Sequence, residues 1–538
     1  MKLLPLLCLS ILLVIPAHAV ELRLAKTNIT MPAGRTFQMP LTASDPAGGP
    51  LEFSILSIKP KMLTGKFAPA TNRSLVLNVT GADATSAPFT GDLVLQLFDD
   101  LTTNTTARIT ALVSSSFYNG LTFHRIIQDF VCQGGDPNGN GSGGSGVKFD
   151  DEFEEGVTFT GFGQLAMANS GDDSNDSQFF ITDGDLTVGD PTKLPPRHLD
   201  FQHTIFGQTT RGFDILTKIM ETPVASGNNA PITPMIINTA TIITNSQDAV
   251  LRLSTIDPTW TGTVTVTVSV MNAAKEIALR TFTVNIVSNT VNDPPFLGPI
   301  PASLLITQSM AATFPLTAFD LDNDPLDPGV KDADTGQFPT NVEPYLDSSQ
   351  GVWLLPDLSA TGTIHLVFSI SDNRQQHAAD TQHFSITIVP KPNAPTMSIL
   401  PKSGSLVSGV NTNDDRIKIS GTLAFNGQSD HTFTFQDFII MSIGDTGSPL
   451  KVTLKPGKAG YSAKNGVVKF KSPAGESPAV SAQFNSAKGT FKIAVSNFDF
   501  PAAISNQVEV GITVGNDYGT DTRAWIEKKP GTFTFPKP

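Results

Sequence analysis

Runs that alternate apolar with polar residues constrain the fold of this chain most strongly. The segment TVTVTVSV spans Thr263–Val270, and FTVNIV, TIHLVFSIS and FSITIV repeat the same period of two further along. A period of two between turn residues is typical of strands that bury one face. We therefore expect a mainly β protein of antiparallel sheets, and the length of 538 residues predicts several domains.

Composition argues against a nucleic-acid partner. The formal net charge is −13 and charged residues make up 16% of the chain. Binding to phosphates needs clustered Lys and Arg, which an acidic chain of this kind lacks. The acidity is better explained as a contribution to solubility.

The first 19 residues predict a secretory signal peptide. One Lys precedes a short apolar run, and Ala17-His18-Ala19 places the cleavage before Val20. The alternative, a membrane anchor, is disfavoured because the apolar stretch is short for a span, and no later segment is long and apolar enough to cross a bilayer. We expect an exported protein, periplasmic, cell-surface or secreted, with a bacterial host favoured.

Only one cysteine, Cys132, remains after that segment. A single thiol cannot form an internal disulfide, so export has not brought disulfide stabilisation. The apolar neighbours of Cys132 favour a buried small side chain over a nucleophile.

An internal repeat indicates that one domain is inserted into another. PLTASD at Pro40 matches PLTAFD at Pro315, and TGTVTVTVSV at Thr261 matches TGTIHLVFSI at Thr361. The later pair of landmarks is 46 residues apart and the earlier pair 221, an excess of 175 residues. We favour a β-sandwich whose halves, residues 20–86 and 246–292, flank an inserted domain. The alternative is that TGDLVLQLFDD, which begins at Thr90, completes the first sandwich alone.

Two proline-rich joints, VNDPPFLGPIP and IVPKPNAP, predict further boundaries. They delimit a second sandwich over residues 293–393 and a C-terminal β-rich domain of unknown type over 394–538. The PLTA-x-D strand end and the VNDPP joint resemble the cadherin-like or immunoglobulin-like modules of bacterial surface proteins. Such modules would position the protein on an envelope, a matrix or a client.

Residues 87–245 differ from the flanking segments in their residue pattern and carry three long motifs. A strand pattern, DLVLQLFDD, precedes one short helical pattern, and GFDILTKIMETP gives a second. The motifs FHRII-x-x-F-x-x-QGGD, MAN-x-G-x-x-x-N-x-SQFFIT and HLD-x-x-H-T-x-FG follow in order. This segment resembles the cyclophilins, which are peptidyl-prolyl cis-trans isomerases. The resemblance implies an eight-stranded antiparallel barrel capped by two helices.

The residue types suit that chemistry. Rotation about a peptide bond has a barrier of about 18–20 kcal/mol, and X–Pro isomers interconvert in tens to hundreds of seconds. Rotation needs no cofactor, nucleophile or metal. Twisting the amide localises the lone pair on the prolyl nitrogen, so a fixed cation in a partly dry apolar pocket favours the twisted geometry. An Arg among apolar residues meets this requirement.

The resemblance assigns roles residue by residue. Arg125 would be the catalytic Arg, Gln133 would hold its guanidinium, and Gln178 would contribute from below. Phe130, Phe180 and Leu199 would wall the proline pocket, with His203 at its edge, while Ala168 and Asn169 would bind the substrate backbone.

Three further positions in these motifs need comment. Val131 and His198 depart from residues common in the family, Met and Trp, so a shallower pocket floor and a weak affinity for cyclosporin are expected. His124 directly precedes Arg125, so on a strand it should point to the other face, and we assign it no role.

Two competing motifs are weaker. GNGSGG, from Gly139 to Gly144, satisfies G-x-G-x-x-G, but no helix pattern follows it as a dinucleotide site requires. A flexible linker is also disfavoured, because domain-like sequence continues on both sides. Asp320, Asp322 and Asp324 have the spacing of a calcium loop, but Pro325 and Lys331 stand where an EF-hand needs Gly and Glu. They stay weak calcium candidates.

The sequence thus favours an isomerase that acts on X–Pro bonds of exported, proline-containing polypeptides and assists their folding. The alternative is a surface adhesion protein whose cyclophilin domain only binds segments that contain proline. The intact Arg125 and Gln133 favour the enzyme.

Overall fold

The computed structural model describes most of the chain beyond the predicted signal peptide, which lies outside the described residues. The described ranges are 20–184, 196–307, 312–346, 351–356, 360–372, 380–390, 397–425, 439–444, 449–454, 460–464, 466–500, 505–514 and 517–535.

Strands dominate the first part of the chain. They are β1 (Glu21–Leu24), β2 (Asn28–Pro32), β3 (Thr36–Ser44), β4 (Glu52–Lys59), β5 (Leu63–Phe67), β6 (Arg73–Ala82), β7 (Pro88–Leu97), β8 (Thr122–Ile127), β9 (Val131–Asp136), β10 (Gln164–Met167), β11 (Phe179–Thr182), β12 (Ile205–Arg211), β13 (Ile236–Thr244), β14 (Asp248–Thr255), β15 (Gly262–Met271) and β16 (Ile277–Val287). The helices are α1 (Thr103–Ser114), α2 (Phe213–Met220) and a 3₁₀ helix at Arg197–Leu199.

The later part is also built from strands. The first group is β17 (Phe296–Leu297), β18 (Ser303–Thr307), β19 (Ala312–Pro315), β20 (Ala318–Phe319), β21 (Asp327–Asp332), β22 (Val342–Leu346), β23 (Gly351–Pro356), β24 (Gly362–Ser371) and β25 (Asp380–Val389). The second group is β26 (Met397–Val407), β27 (Asp415–Phe425), β28 (Ile439–Gly444), β29 (Leu450–Leu454), β30 (Tyr461–Lys464), β31 (Val467–Lys471), β32 (Ala479–Asn485), β33 (Thr490–Phe498), β34 (Gln507–Val514), β35 (Asp517–Ala524), β36 (Ile526–Lys529) and β37 (Thr532–Thr534).

Strands from both flanks of residues 73–244 share two sheets. One sheet has the order β1-β3-β14-β5 and the other β2-β16-β15-β4. In the first, Leu251 of β14 lies opposite Met39 of β3 and Phe67 of β5. In the second, β15 pairs antiparallel with β4, while β16 pairs parallel with β2.

The alternation in β15 explains how these sheets pack. Its four Val residues, at positions 264, 266, 268 and 270, are fully buried, and Thr263 between the turn and the core is exposed. Leu22, Leu41 and Leu251 of the first sheet join the same apolar core. Burial of one face of each sheet against the other is the arrangement that a period of two predicts.

The segment between those flanks closes into a barrel. Its eight strands follow the order β10-β11-β9-β8-β13-β6-β7-β12, with β12 pairing back to β10. Helices α1 and α2 supply Ile109, Leu112, Leu216 and Ile219 to the barrel core. The predicted mainly β fold with an eight-stranded antiparallel barrel and two helices is confirmed.

The barrel begins earlier than residue 87, where the sequence placed its start. Strand β6, at Arg73–Ala82, pairs with β7 and β13 inside the barrel. Its alternating pattern, RSLVLNVTGA, suits a sandwich and a barrel equally well, so period alone could not assign it. Strand β7, which carries DLVLQL, also lies in the barrel and not in either sandwich sheet.

Charged contacts join the barrel to the sheets on either side of it. Arg252 of β14 donates to both carboxylate oxygens of Asp100, at 2.6 and 3.0 Å, and its guanidinium lies 4.9 Å from the centre of the Phe98 ring. Arg211 of β12 binds Asp248 of β14 at 2.6 Å. These pairs lie next to a shared apolar contact, in which Val250 of β14 packs with Phe98.

The remaining strands form further sheets. One has the order β18-β25-β24-β21, with β18 parallel to β25, and a second has the order β19-β23-β22. Further on, a sheet of order β30-β31-β32-β33-β27-β26-β37-β36 shares an apolar core with one of order β29-β28-β34-β35. The chain divides into two compact units, residues 1–298, 318–327 and 370–382, and residues 299–317, 328–369 and 383–538. Among the described residues, no helix has the length and apolarity needed to span a bilayer.

Replacement of Leu251 should destabilise the first pair of sheets. Leu251 is completely buried, so L251A should lower the free energy of unfolding by about 2–5 kcal/mol. Trp260 packs against this core, so urea unfolding can be followed by its fluorescence once Trp353 and Trp525 are replaced by Phe. The control is L279A, since Leu279 is 51% exposed and its loss should change stability by less than about 0.5 kcal/mol. Equal effects of the two variants would contradict this packing.

Candidate active site

A row of four residues crosses four neighbouring strands of the barrel. Arg125 of β8 lies opposite Gln133 of β9, Gln133 lies opposite Phe180 of β11, and Phe180 lies opposite Ala166 of β10. Residues paired directly across a sheet place their side chains on the same face. The register therefore brings one cation, one amide and one aromatic ring side by side.

This row faces outward from the barrel. The neighbouring residues in sequence, Ile126, Cys132, Leu165 and Ile181, all belong to the barrel core. Side chains alternate between the two faces of a strand, so Arg125, Gln133 and Phe180 lie on the outer face. Burial raises the pKa of the Cys132 thiol well above its usual range, which agrees with a buried, inert side chain rather than a nucleophile.

A chain of amide hydrogen bonds holds the guanidinium. Nη1 of Arg125 donates to Oε1 of Gln133 at 3.3 Å, and Nε2 of Gln133 donates to Oε1 of Gln178 at 2.9 Å. Nε2 of Gln178 in turn donates to the carbonyl oxygens of Gly141 and Gly143, at 3.0 and 2.7 Å. The glycine-rich loop and the half-buried Arg125 are thus connected through two glutamines.

Apolar side chains surround this row. Val131, Phe159, Ala166 and Phe180 form one buried cluster, and the half-buried Phe130, Ala168 and Leu199 pack against it. The cluster also contains Val250, from a strand that follows the barrel in sequence. The partly covered surface beside Arg125 is therefore suited to an apolar ring such as that of proline.

Ring contacts fix the walls of the pocket. Phe130 stacks on His198, with centroids 5.8 Å apart, and Phe159 stacks on Phe180 at 5.7 Å. The His203 ring meets the Phe180 ring edge-on at 5.5 Å. Offset and edge-on arrangements are the favoured geometries for such pairs.

His203 is held in its neutral form. Burial lowers its pKa to about 4, while the contact with the carbonyl oxygen of Met167 acts in the opposite direction. Nδ1 lies 3.0 Å from that oxygen, so Nδ1 carries the proton and donates it, and Nε2 is left as an acceptor. His203 thus offers a neutral edge to the pocket at neutral pH.

The residues expected to meet the substrate backbone lie just after β10. The Ala168 N–H donates to the carbonyl of Gln178 at 2.9 Å, and Nδ2 of Asn169 donates to the carbonyl of Gln202 at 2.8 Å. Asn169 therefore ties the end of β10 to the loop that carries His198, Leu199 and His203. The structure brings all the site residues expected from the motifs to one side of the barrel.

The glycine-rich loop is folded around a carboxylate. Asp136 accepts N–H groups of Asn138, Asn140 and Gly141 at 2.5–2.9 Å. Burial tends to raise the pKa of Asp136, but these three donors outweigh it and hold the pKa below its usual value. Two N–H groups of GNGSGG, those of Asn140 and Gly141, are thus already bound by Asp136, which argues against a phosphate-binding role for this run. The sequence analysis missed Asp136, although it stands in the motif as the last residue of QGGD.

His124 is displaced by a β-bulge. The register of β8 with β9 passes from Phe123 to Arg125 and leaves His124 without a direct partner. Its side chain is buried, and neither ring nitrogen has a hydrogen-bond partner in the described residues. Burial lowers the pKa of His124. The buried ring therefore stays neutral at neutral pH.

The structure regroups the three calcium candidates. Asp322 does not join the other two, because its carboxylate binds Arg35 at 3.0 Å and accepts the N–H of Asp293 at 2.8 Å. Asp320 and Asp324 lie instead with Asp372, each placing a carboxylate oxygen within 4.8 Å of the others. Such oxygens could hold a hard cation, but acidic groups commonly lie this close without one.

The neutral His203 should make stability depend on pH. Since its folded pKa of about 4 lies below the unfolded value near 6.5, the unfolded chain binds an extra proton between those values and stability rises with pH across that window. H203Q should remove up to about 3 kcal/mol of this rise in the barrel's free energy of unfolding. Hydrogen exchange of barrel amides between pH 4.5 and 7 measures it, with H365Q, an exposed histidine, as control. A pH dependence that H203Q leaves intact would exclude this histidine as its source.

Comparison with known proteins identifies the family. A family model described as cyclophilin type peptidyl-prolyl cis-trans isomerase/CLD matches residues 83–242. The peptidyl-prolyl cis-trans isomerase-like 3 of Gallus gallus is 39% identical over 158 residues, which cover 29% of this chain and 92% of that protein. The peptidyl-prolyl cis-trans isomerase-like 1 of Homo sapiens is 42% identical over 132 residues, covering 24% and 74%.

A solved structure is also similar. The crystal structure of a cyclophilin type peptidyl-prolyl cis-trans isomerase from Cryptosporidium parvum has 29% sequence identity and a TM-score of 0.28, and the match covers 32% of this chain and 99% of that one. The segment matched by the family model lies within the barrel and includes the residues of the site. Through this domain, the chain belongs to the cyclophilin-type peptidyl-prolyl cis-trans isomerases.

Proposed function

We propose that this protein isomerises X–Pro bonds of exported polypeptides and thereby assists their folding, with Arg125 as the catalytic residue. The observation that carries the proposal is the cross-strand row of Arg125, Gln133 and Phe180 beside a cluster of apolar side chains. No covalent chemistry is required, because the reaction is a rotation about one bond.

The role of Arg125 follows from the charge that develops during rotation. In the planar amide the nitrogen lone pair is delocalised into the carbonyl, and in the twisted amide it is localised on the prolyl nitrogen. A guanidinium held beside that nitrogen donates a hydrogen bond to the twisted form more strongly than to the planar one. Gln133, at 3.3 Å, holds the guanidinium at its Nη1 so that little reorientation is needed at the moment of reaction.

The other site residues would bind and orient the substrate. Phe130, Phe180 and Leu199 would hold the proline ring, with Val131 as the pocket floor and the neutral His203 at the edge. Ala168 and Asn169 would contact the backbone that precedes the proline, His198 would support Phe130, and Gln178 would fix the position of Gln133.

The domains outside the barrel would position the isomerase domain near its substrates. We propose that the sheets from residues 20–67 and 246–292 form one sandwich that carries the barrel as an insertion, followed by a second sandwich and a C-terminal β domain. The predicted signal peptide supports export, and cadherin-like or immunoglobulin-like modules would provide contact with a surface, a matrix or a client. No cofactor is needed for the reaction.

A second candidate is a surface binding protein whose cyclophilin domain holds segments that contain proline without isomerising them. The same apolar pocket would serve binding. The retained hydrogen bond between Arg125 and Gln133 favours catalysis, because binding of a neutral proline ring does not itself require a positioned guanidinium.

Isomerisation should depend on the guanidinium of Arg125. The full chain should accelerate cis-trans exchange of an Ala-Pro peptide measured by NMR. R125A should lower kcat/KM by about 10²–10³-fold, the cost of one transition-state donor, and R125K should retain part of the activity as a charge without the planar fork.

The matched control is R23A, which removes an exposed Arg from β1 and should leave the rate unchanged. Absence of acceleration by the wild type would overturn the enzymatic proposal and, if the peptide still binds, favour the binding protein. Equal acceleration by wild type and R125A would overturn the role of Arg125 alone.

A further inference from the structure

The pocket loop, which we define as residues 197–203, is contacted at Arg197 and at Phe201 by a segment from outside the barrel. That segment is the joint, residues 289–298, which follows β16 and contains VNDPPFLG. The loop carries three site residues, His198, Leu199 and His203. Nothing in the isomerase motifs themselves accounts for these contacts, because the joint lies more than 80 residues beyond the last motif.

The first contact is ionic. Nη2 of Arg197 donates to both carboxylate oxygens of Asp293, at 2.8 and 2.7 Å, and Arg197 also binds Asp200 within the loop. Asp293 is fully buried and is shared with Arg35, whose Nε donates to it at 2.7 Å. Charge-assisted hydrogen bonds to a buried carboxylate are strong and directional, so they define the position of Arg197 tightly.

The ionic contact reaches the pocket wall. Oδ1 of Asp200 accepts the N–H of Phe159 at 2.6 Å, and Phe159 stacks on Phe180. The joint, Arg197 and Asp200 therefore form a continuous polar connection to the aromatic wall of the site.

The second contact is aromatic. Phe201 of the pocket loop stacks on Phe296 of the joint with centroids 4.6 Å apart and planes 15° from parallel. Phe319 also stacks on Phe296, with centroids 5.1 Å apart, and Phe153 meets both Phe201 and Phe296 edge-on. Phe296 is therefore held between rings and almost completely buried.

The backbone at Phe201 needs such support. Its φ is +51°, in the left-handed region that residues with a bulky side chain rarely adopt. Non-glycine residues persist there only when their surroundings hold them. The stack on Phe296 supplies this restraint two residues from both Leu199 and His203.

We propose that Asp293 and Phe296 are positioning residues for the isomerase, which fix the pocket loop from outside the barrel. This inference rests on the proposed function for its kinetic effect, but the restraint on the loop can be measured independently. Without either contact the loop relaxes at Arg197 or Phe201, and the wall formed by Leu199 and His203 moves away from the proline ring.

The test compares F296L and F296A with wild type in the full chain. Arg125 lies on β8 and keeps its partners, so each variant should raise KM for an Ala-Pro peptide, by about tenfold in F296A, with a smaller change in kcat. A merely structural role would reduce the folded fraction and hence the apparent kcat, and leave KM unchanged. The control F314L removes another buried ring, which contacts Phe384 in a separate aromatic cluster, and should leave both constants unchanged.

A second substitution at Phe201, the residue with the positive φ, tests whether backbone strain causes the loss of peptide affinity. Glycine adopts a positive φ without a side-chain penalty and alanine does not. In the F296A background, F201G should therefore restore more of the affinity for the peptide than F201A. Equal effects of the two substitutions would overturn the role assigned to the strained backbone.

Hydrogen exchange separates failure of this inference from failure of the proposed function. F296A and D293N should speed exchange in peptides spanning 197–203 while β9 exchanges as in wild type, whether or not the wild type isomerises the peptide. Unchanged exchange in that loop for both F296L and F296A would overturn the inference, even if the protein proves to be an active isomerase.

Discussion

The antiparallel pair of β6 and β13 governs how the barrel is joined to the sheets that flank it in sequence. Arg73, at the start of the barrel, lies directly opposite Thr244, at its end. A few residues outward, Phe67 of β5 lies opposite Leu251 of β14 in a sandwich sheet. The chain therefore leaves one sheet, runs round the entire barrel and re-enters beside its point of departure. Closing so long a segment costs little more entropy than closing a shorter one, because the cost grows only with the logarithm of length.

This arrangement places strand β14 of the flanking sheets against the side of the barrel that carries the candidate site. Val250 of β14 lies in the same apolar cluster as Phe159 and Phe180. Arg252, two residues further, covers the Phe98 ring and binds Asp100. The apolar cluster on the outer face of β9 and β11 thus includes a residue that the barrel alone would not contain. The candidate site lies on the surface of the barrel, but strand β14 covers part of the apolar cluster beside it.

The strands and the site residues could be predicted from the sequence, because each depends on a pattern within a short stretch of chain. Alternation over eight or ten residues predicted the strands. Three contiguous motifs predicted the site residues, and the register of β8, β9, β10 and β11 brings Arg125, Gln133 and Phe180 together. The assignment of β6 failed because its alternation does not reveal which sheet it joins. The pairing of Asp322 with Arg35 and of Asp293 with Arg197 could not be predicted, because those partners are remote in sequence and their contact depends on tertiary packing. The positive φ of Phe201 has no sequence signal, since that conformation usually calls for Gly or Asn.

The interior position of Cys132 has a consequence for its oxidative chemistry. Thiolate is the reactive form of cysteine, and this thiol is both sealed among apolar side chains and strongly disfavoured from ionising. Oxidants and mixed disulfides can reach it only when the barrel opens, so opening of the barrel is the step that would expose the protein to covalent damage. Every contact that keeps the barrel closed, including those from the flanking sheets, also protects the Cys132 thiol from oxidants.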